Sequence, residues 1–259
     1  MKISVAMIAH NEEKNISAAL KSVEWADQIV VIDCESSDGT RAVAEDAGAD
    51  IFIRPNNPNL NINKNISIDK STGDWILILD TDEVITYDLA GCIRHAINDD
   101  SDISAYKFPR QNFVLGKWTK FGSQYPDYQL RLFKQGKARF PEDHIHEKLD
   151  VKGKIGTIDT PFEHHPYPDI ASLIRKNLRD SDFEANYLFK NHTRIGDNEL
   201  ISRVLVNIPL RFCRRYFLKA GYRNGVQGLI REVFDAFNQI LRWFRVWELS
   251  RKTDKTGKN

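Results

Sequence analysis

Three acids follow a strongly apolar run at Trp75–Glu83, which reads WILILDTDE. Like charges this close repel one another and shift each other's pKa values, so something must compensate for Asp80, Asp82 and Glu83. A divalent metal ion is the obvious candidate, because hard cations bind carboxylate oxygens. The pattern therefore predicts a metal site that holds a diphosphate. Two acids capping a solvated strand end are the competing interpretation of so short a motif.

A second acid lies at the end of another apolar run, in VVIDCESSDGT. The residues Ser36–Thr40 have the pattern of a helix cap with a glycine turn, which explains Ser37, Asp38 and Gly39 but not Asp33. An acid at a strand terminus can accept a hydrogen bond from a base N–H group or a ribose hydroxyl. Asp33 is therefore a candidate nucleotide-binding residue.

The elements that carry these acids alternate between strand and helix. Apolar, β-prone runs are followed by helical patterns, and the first helix is expected from Glu12 to about Trp25. The Asn- and Pro-rich stretch Asn56–Asn65 is typical of a loop, with a helix at Ile66–Ser71. The four predicted strands are Ile3–Ala9, Gln28–Asp33, Ala49–Ile53 and Trp75–Leu79.

Near-continuous apolar strands alternating with helices predict an α/β fold: a Rossmann-like, mostly parallel sheet with helices on both faces. Ligands of such sheets bind at the carboxyl ends of the strands. Asn11, Asp33 and Asp80–Asp82 all lie at those ends, so we expect them to form one site.

The chain changes character after the first hundred residues. Two runs, AYKFPRQNFVLGKW and YQLRLFKQGKARF, are typical of antiparallel strands, and helical periodicity follows from about Pro168. We therefore divide the chain into four segments, with a C-terminal helical region as the third and a disordered tail as the last. Their bounds are 1–104, 105–165, 166–252 and 253–259.

Composition excludes several classes of protein. The 259 residues carry a net charge of +1, which gives no global indication of nucleic-acid binding. The three cysteines are widely separated without a CxxC pair, which argues for a reducing compartment and against a zinc or disulfide framework. The N-terminal sequence resembles a first strand more than a signal peptide. No window of the sequence has an apolar run as long as a transmembrane helix requires. We expect a cytoplasmic protein.

The C-terminal region is locally basic. Between Arg203 and Lys252 there are eleven Lys and Arg residues against three acids, with aromatic residues interleaved. An amphipathic helix packed on the domain is the commonest cause of such a pattern. A nucleic-acid patch has no recognition motif to support it, so we expect no nucleic-acid partner. A helix that lies on anionic lipid also fits, which would give peripheral contact with the cytoplasmic face of the inner membrane.

Four segments in order together resemble glycosyltransferase family 2, and within it the bacterial subgroup that includes lipopolysaccharide core β-1,4-glucosyltransferases. The resemblance covers residues 1 to about 165 strongly. It implies a GT-A fold, a nucleotide-sugar donor that is usually UDP-linked, a Mg²⁺ or Mn²⁺ ion, and a glycolipid or glycan acceptor. The segments are MIAHNEEKNISAALKSV, VVIDCESSDGT, NKNISIDKSTGDWILILDTDE and YQLRLFKQGKARFPEDHIHEKL.

The same resemblance implies that segment 1–104 is the nucleotide-sugar-binding half, the donor half, and it implies roles for five residues there. Asp33 would recognise the uracil, and Glu12 would lie against the nucleoside. Lys64 takes the place of a basic residue that contacts the base or the diphosphate. Asp80 would contact the ribose or the metal, and Asp82 would ligate the metal.

Segment 105–165 would be the acceptor-binding half. The catalytic base of an inverting transfer should be a carboxylate of this half, because it must take the proton of the acceptor hydroxyl. We favour Glu147, where the family places its base, with Asp127 close behind and Glu142 and Asp143 also open. His146 is a candidate further metal ligand, or it orients a carboxylate. His164 and His165 are expected to pack in the core or on the surface, with the same cleft as the alternative.

Several departures and competing classes limit this interpretation. Cys34 and Glu35 stand where the family often has an acid and a glycine. The sequence Gln129-Leu-Arg131 lacks the QxxRW spacing of processive synthases. This difference favours the addition of one sugar, plausibly glucose.

The competing enzyme classes lack their motifs. The spacing of His144 and His146 does not suit a zinc hydrolase, and no GxGxxG supports a dinucleotide oxidoreductase. A capsular or protein-linked glycan acceptor, or a non-catalytic nucleotide-sugar-binding module, stays open.

Overall fold

The structure, a computed structural model, describes residues 1–99, 102–142 and 149–256, with side chains described as far as Lys252. Its contacts define two compact units. The sheet unit comprises Met1–Gln111 and Pro126–His164, and the helical unit comprises Asn112–Tyr125 and His165–Asn259.

The sheet unit begins with four parallel strands in the order β3-β2-β1-β4. These are β1 (Ile3–Ala9), β2 (Gln28–Asp33), β3 (Asp50–Ile53) and β4 (Trp75–Ile78). Both faces of the central strands are buried, as their continuous apolar sequences predict. The predicted parallel arrangement is therefore confirmed for these four strands.

Helices cover both faces of this sheet, as predicted. Helices α1 (Ile16–Lys21), α2 (Thr40–Asp46) and α4 (Tyr87–Asn98) contribute to the core on one face. Helix α3 (Leu60–Lys70) packs on the other through Ile66 and Ile68.

The first helix is shorter than the predicted Glu12–Trp25. The residues ahead of Ile16 form a hydrogen-bonded turn instead, and the backbone N–H of Glu12 donates to Thr40 Oγ1 at 2.7 Å. This turn ties the end of β1 to the start of α2.

Helix α3 corrects one prediction, because it begins inside the stretch Asn56–Asn65 that we expected to be a loop. Asn59 caps the helix by accepting a hydrogen bond from Asn61 N at 3.1 Å. The buried asparagines of α3 donate their side-chain amides to backbone carbonyls elsewhere in the unit. These long-range hydrogen bonds outweigh the low helix propensity of asparagine. The donors and acceptors are Asn61 to Pro141, Asn63 to Pro55 and Asn65 to Phe140.

Antiparallel strands extend the sheet, as predicted for the middle of the chain. Strand β6 (Ile103–Val114) is followed by β8 (Tyr128–Lys134), which pairs antiparallel to both β6 and β4. Among the shorter strands, β5 (Glu83–Val84) pairs antiparallel to β12 (Phe162–Tyr167), and β7 (Lys117–Trp118) pairs antiparallel to β6. Strand β11 (Lys154–Thr157) pairs parallel to β6. Strands β9 (Ala138–Arg139) and β10 (Asp150–Val151) form a separate two-stranded sheet.

The helical unit confirms the predicted C-terminal helical region. Two long helices, α5 (Ile170–Lys190) and α8 (Val226–Thr256), pack together around Ala185 and Val246. Between them lie α6 (Asp197–Ser202), a π-helical segment (Arg203–Asn207), α7 (Ile208–Cys213), a second π-helical segment (Arg214–Leu218) and a 3₁₀ turn (Gly221–Asn224). No helix among the described residues has the length and apolar character needed to cross a membrane.

Candidate active site

The acids of the first motif leave the sheet together at the carboxyl end of β4. Leu79 N still donates to Ala6 O at 3.1 Å, and a turn then joins Asp80 O to Glu83 N at 3.0 Å. Asp33, the last residue of β2, is opposite Ala9 in the register of the intervening strand. Parallel pairing of β2, β1 and β4 therefore brings the two acidic motifs to one edge of the sheet.

Asp80 lies between two cations. Lys64 Nζ, from α3, is 2.7 Å from Asp80 Oδ1, and an Arg131 Nη atom, from β8, is 2.9 Å from Asp80 Oδ2. Burial alone would raise the pKa of Asp80, but the charges of Lys64 and Arg131 outweigh it and hold the pKa well below its usual range. Asp80 is therefore ionised.

Glu83, the third acid, is fully buried and shares the same arginine. Its second oxygen accepts a hydrogen bond from Asp80 N at 3.1 Å. Burial raises the pKa of Glu83, and the positive charge of Arg131 offsets part of that rise. Burial would lower the pKa of Arg131, but Glu83 and Asp80 outweigh it and raise the pKa above its usual value.

The repulsion among these acids is thus offset by protein cations, which include Arg110, whose Nη1 atom is 3.9 Å from Glu83 Oε1. The sequence suggested a metal ion as the compensating charge for the whole motif, whereas Lys64 and Arg131 already pair with Asp80 and Glu83 in the structure.

Asp82, the predicted metal ligand, lies within the turn between Asp80 and Glu83. His164 Nε2, from β12, is 3.4 Å from Asp82 Oδ2. A carboxylate oxygen and an imidazole nitrogen that converge in this way are suitable donors for a divalent cation. Within residues 1–99, 102–142 and 149–256, no group of three His, Cys, Asp or Glu side chains is arranged to hold a metal. His146, the other predicted ligand, lies outside the described residues.

Asp33, the predicted base-recognition residue, is fully buried and pairs with Arg41. Asp33 Oδ2 is 2.7 Å from an Arg41 Nη atom, and Asp33 Oδ1 accepts from Ser36 N at 3.3 Å. Glu12 lies nearby on the turn after β1, where its carboxylate accepts from Asn15 Nδ2 at 2.8 Å. The Glu12 side chain thus helps to order the turn on which it lies.

Asp127, a candidate base, has both carboxylate oxygens engaged. Oδ2 is 2.8 Å from Arg110, and Oδ1 accepts from Gln129 Nε2 at 2.7 Å. Glu142 Oε1 accepts from Asn65 Nδ2 at 2.8 Å. The other candidates of this segment, Asp143 and Glu147, lie outside the described residues, as does His144.

Two important side chains were not identified from the sequence. The sequence gives Arg131 no role of its own, although a charged residue between Leu130 and Leu132 must find a partner when the strand is buried. For His164 the sequence favours packing, with the same cleft as the alternative, and the structure brings its Nε2 atom to 3.4 Å from Asp82. His164 lies between Glu163 and His165 in the sequence, so no local pattern distinguishes it.

The sheet order and the acidic edge define an α/β protein built to bind a ligand at the carboxyl ends of its strands. The model of glycosyl transferase family 2 matches residues 4–149. The chain belongs to this family and is a glycosyltransferase. Family membership together with the observed sheet confirms the predicted GT-A fold.

Similar proteins extend over nearly the whole chain. An uncharacterized glycosyltransferase of Rickettsia conorii is 24% identical over 264 residues, which covers 97% of this chain and 92% of the relative. The lipopolysaccharide core biosynthesis glycosyltransferase LpsC of Rhizobium meliloti is 23% identical over 254 residues, which covers 96% and 93%.

Two solved structures resemble this chain in part. Glucosyl-3-phosphoglycerate synthase from Mycobacterium tuberculosis, in complex with Mn²⁺, UDP and glucosyl-3-phosphoglycerate, has a TM-score of 0.49 at 17% identity, over 76% of this chain and 81% of that one. S. aureus TarS, residues 1–349, has a TM-score of 0.49 at 13% identity, over 99% and 92%.

Proposed function

We propose that the protein is an inverting, metal-dependent glycosyltransferase that moves one hexose, plausibly glucose, from a UDP-sugar to a lipopolysaccharide-core or related glycolipid. The observation that supports it best is the edge of the sheet at the end of β4. There Asp80 lies between Lys64 and Arg131, and the pair Asp82–His164 lies beside it. This arrangement offers basic groups for a diphosphate and oxygen and nitrogen donors for a cation.

On the donor side, Asp33 would accept the N–H of the uracil and Glu12 would lie against the nucleoside. Lys64 is held by Asp80 at the rim of the same edge, where its ammonium can shift to a phosphate oxygen. Asp82, with His164 or His146, would hold Mg²⁺ or Mn²⁺, and the bound ion would stabilise the charge that develops on the leaving diphosphate.

On the acceptor side, a carboxylate takes the proton of the acceptor hydroxyl. The hydroxyl oxygen then bonds to the anomeric carbon, and the diphosphate leaves with the electron pair of the broken bond. Glu147 remains our proposed base. Asp127 is the weaker candidate, because its bonds to Arg110 and Gln129 must break before it can take a proton.

The donor site is tested by calorimetric titration of the protein with UDP, with and without Mn²⁺. We expect metal-dependent binding that Asp82→Ala abolishes while the fold survives. Asp88→Ala, which removes an exposed acid at the start of α4, is the matched control. Unchanged metal-dependent UDP affinity in the Asp82 variant would refute the assignment. No binding to the wild type under either condition would direct the next titration to GDP and other nucleotides.

Catalysis is distinguished from mere binding by variants of the base candidates. Glu147→Gln is expected to abolish transfer with UDP affinity intact, and Asp127→Asn is expected to reduce it less. If the wild type, in which Glu147 and Asp127 are both intact, binds a UDP-sugar but transfers the sugar to no acceptor, the protein is a non-catalytic binding module. The glycolipid acceptor is supported by the likeness to LpsC, and a capsular or protein-linked glycan is the alternative.

We also propose that the helical unit rests on a membrane surface. Among the described residues, sixteen of the 22 exposed large hydrophobic side chains lie in this unit. Those of α8 recur at helical spacing and form one exposed stripe: Val226, Leu229, Val233, Phe237 and Phe244. The segment between α5 and α8 exposes a second group: Ile201, Leu205, Val206, Leu210, Phe217 and Leu218. Exposed apolar surface on this scale is typical of an interaction site.

Anionic lipid is the partner that the charge favours. Residues 203–225 contain six Lys and Arg residues and no acid. Arg214 and Lys219 are exposed beside Phe217 and Leu218 and make no ion pair within the part of the chain that the structure describes. Apolar side chains mixed with basic ones are the pattern of helices that lie in a lipid interface. This contact would bring the enzyme to a membrane-anchored acceptor at the cytoplasmic face.

Vesicle flotation tests this surface. We expect the protein to bind phosphatidylglycerol vesicles and not phosphatidylcholine vesicles. Each basic residue near an anionic surface contributes about 1 kcal/mol, so Arg214→Gln with Lys219→Gln should weaken binding by about 30-fold. Leu210→Ser with Leu218→Ser should also weaken it, whereas Ile155→Ser, at an exposed residue of the sheet unit, should not. Equal flotation of all variants would refute the proposal.

A further inference from the structure

The helical unit contains a cavity of about 200 Å³ between α5 and α8. Its polar lining combines hydroxyl, amide and charged groups, which is the lining expected for a hydroxyl-rich ligand. The polar side chains are those of Tyr167, Asn177, Asp180, Arg231, Asp235 and Asn238. None of the residues assigned to the donor site lies in this cavity.

Arg231 is the unusual member of this lining. Among the described residues, three arginines have an Nε atom that is buried without a hydrogen-bond partner: Arg131, Arg231 and Arg242. Arg131 pairs with Asp80 and Glu83, and Arg242 pairs with Glu184 at 2.5 Å. Within the described residues Arg231 has no carboxylate at ion-pair distance, and its only hydrogen bond goes to the amide oxygen of Gln124.

The other charges of the cavity are already balanced. Asp235 pairs with Arg211 at 2.8 Å and lies 3.6 Å from Arg215, whose other partner is the buried Glu232. Asp180 pairs with its neighbour Arg179 at 3.2 Å. Arg231 is therefore the one charged side chain of the lining without an ion pair among the described residues.

Arg231 is partly buried, and desolvation of a positive charge is unfavourable where no ion pair repays it. Consistent with this, burial lowers the pKa of Arg231 below its usual value, and the nearby charge of Arg215 lowers it further. The group that completes such a site is an anion with acceptor oxygens, for which a guanidinium is well suited.

We infer that this cavity binds an anionic sugar, with Arg231 bonded to its phosphate or carboxylate group. The amide nitrogens of Asn177 and Asn238 donate to the backbone carbonyls of Leu173 and Asn177, so their amide oxygens would accept from the sugar hydroxyls. The inference rests on the proposed transferase function, since the sugar would be an acidic residue of the acceptor. It narrows the acceptor class to glycans that carry a phosphate or a uronic acid.

Binding of simple sugars tests the site with the full chain. Glucose 6-phosphate, glucuronate, glucose and inorganic phosphate are titrated calorimetrically in the presence of saturating UDP and Mn²⁺, which occupies the donor site. We expect glucose 6-phosphate or glucuronate to bind and glucose not to bind. Whichever of the two binds identifies the anion, and binding of inorganic phosphate as tight as that of the sugar phosphate would overturn the sugar part of the proposal.

Arg231→Gln should weaken binding of the anionic sugar by about 10- to 100-fold, the loss expected for charge-assisted hydrogen bonds. Arg231→Lys, which keeps the charge, should retain part of it. Arg223→Gln makes the same charge change at an exposed arginine outside the cavity and is the matched control. Equal affinity in the Arg231→Gln and Arg223→Gln proteins, or no binding of either anionic sugar to the wild type, would overturn the inference.

The thermal stability of the Arg231→Gln variant is a second test, which distinguishes a ligand-binding arginine from a purely structural one. Because Arg231 lacks a counterion, Arg231→Gln should leave the melting temperature of the sugar-free protein unchanged or raise it. A large fall would identify Arg231 as a structural residue and refute the assignment. UDP affinity should be unchanged in this variant, so loss of the anion site and failure of the donor site are separate results.

Discussion

Replacing Arg131 by methionine is predicted to destabilise the protein strongly, and in a pH-dependent way. The side chain lies between Asp80 and Glu83, the second of which is fully buried. Methionine has a similar length but no charge, so the variant leaves both carboxylates without their shared partner. Breaking a buried ion pair by removing one side typically costs about 3–5 kcal/mol, and we expect a loss of unfolding free energy in that range.

The pH dependence follows from the sign of the pKa shift of Glu83. Burial already raises its pKa, and loss of Arg131 removes the charge that opposes this rise. An acid whose folded pKa lies above its unfolded value favours folding at low pH, and that contribution is lost as the pH rises through the folded pKa. The destabilisation by Arg131→Met should therefore be larger near about pH 8 than near about pH 5.5, by up to about 1.4 kcal/mol per pH unit.

Urea unfolding followed by circular dichroism and by tryptophan fluorescence measures both effects, and the buried Trp75 on β4 reports on the affected sheet. The double variant Arg131→Met with Glu83→Gln is the control, because it removes a buried charge together with its partner. It should recover at least about 1 kcal/mol of the loss and most of the pH dependence. A single variant within about 1 kcal/mol of the wild type, with the same loss at both pH values, would refute the buried network.

Three further predictions concern single residues. Asp33→Asn should weaken UDP binding by about tenfold or more, because it removes a charge-assisted hydrogen bond; calorimetry that gives the wild-type affinity would contradict the assigned contact. Asn65→Ala removes the hydrogen bonds to Phe140 and Glu142, and we expect steady-state kinetics to give a lower kcat with UDP affinity unchanged; an unchanged kcat would exclude a positioning role. The depressed pKa of Asp80 stabilises the fold above about pH 4, and this contribution is lost as the pH falls towards its folded pKa, so acid unfolding of Asp80→Asn should depend less steeply on pH than that of the wild type.

Sequence reasoning succeeded where the determinant is local. Strands β1, β2 and β4 are apolar runs ended by polar residues, so both their position and the carboxyl edge of the sheet could be predicted. Asp33 and Asp80 were identified because they end such runs, and the structure brings their strands to the same edge.

Prediction failed where the determinant is a contact between distant segments. Arg131 reaches Asp80 because β8 runs antiparallel to β4 with Leu132 opposite Leu77, a register that no local pattern encodes. The asparagines of α3 fold as a helix because Asn65 and its neighbours bond to a segment about 75 residues further along the chain. In both cases tertiary partners override the preference of the isolated segment.

The charge arrangement at the edge of the sheet makes folding independent of the cation that we propose for Asp82. Lys64 and Arg131 balance Asp80 and Glu83 within the protein, so the most buried acids of the motif need no added cation for the chain to fold. Asp82 Oδ2 and His164 Nε2 lie 3.4 Å apart beside this network, and the Asp82 side chain is 21% exposed. A divalent cation bound there would change affinity for a diphosphate while leaving the network that positions Asp82 intact. The same strand end thus carries two acids, Asp80 and Glu83, that pair with protein cations, and a third, Asp82, that contacts His164.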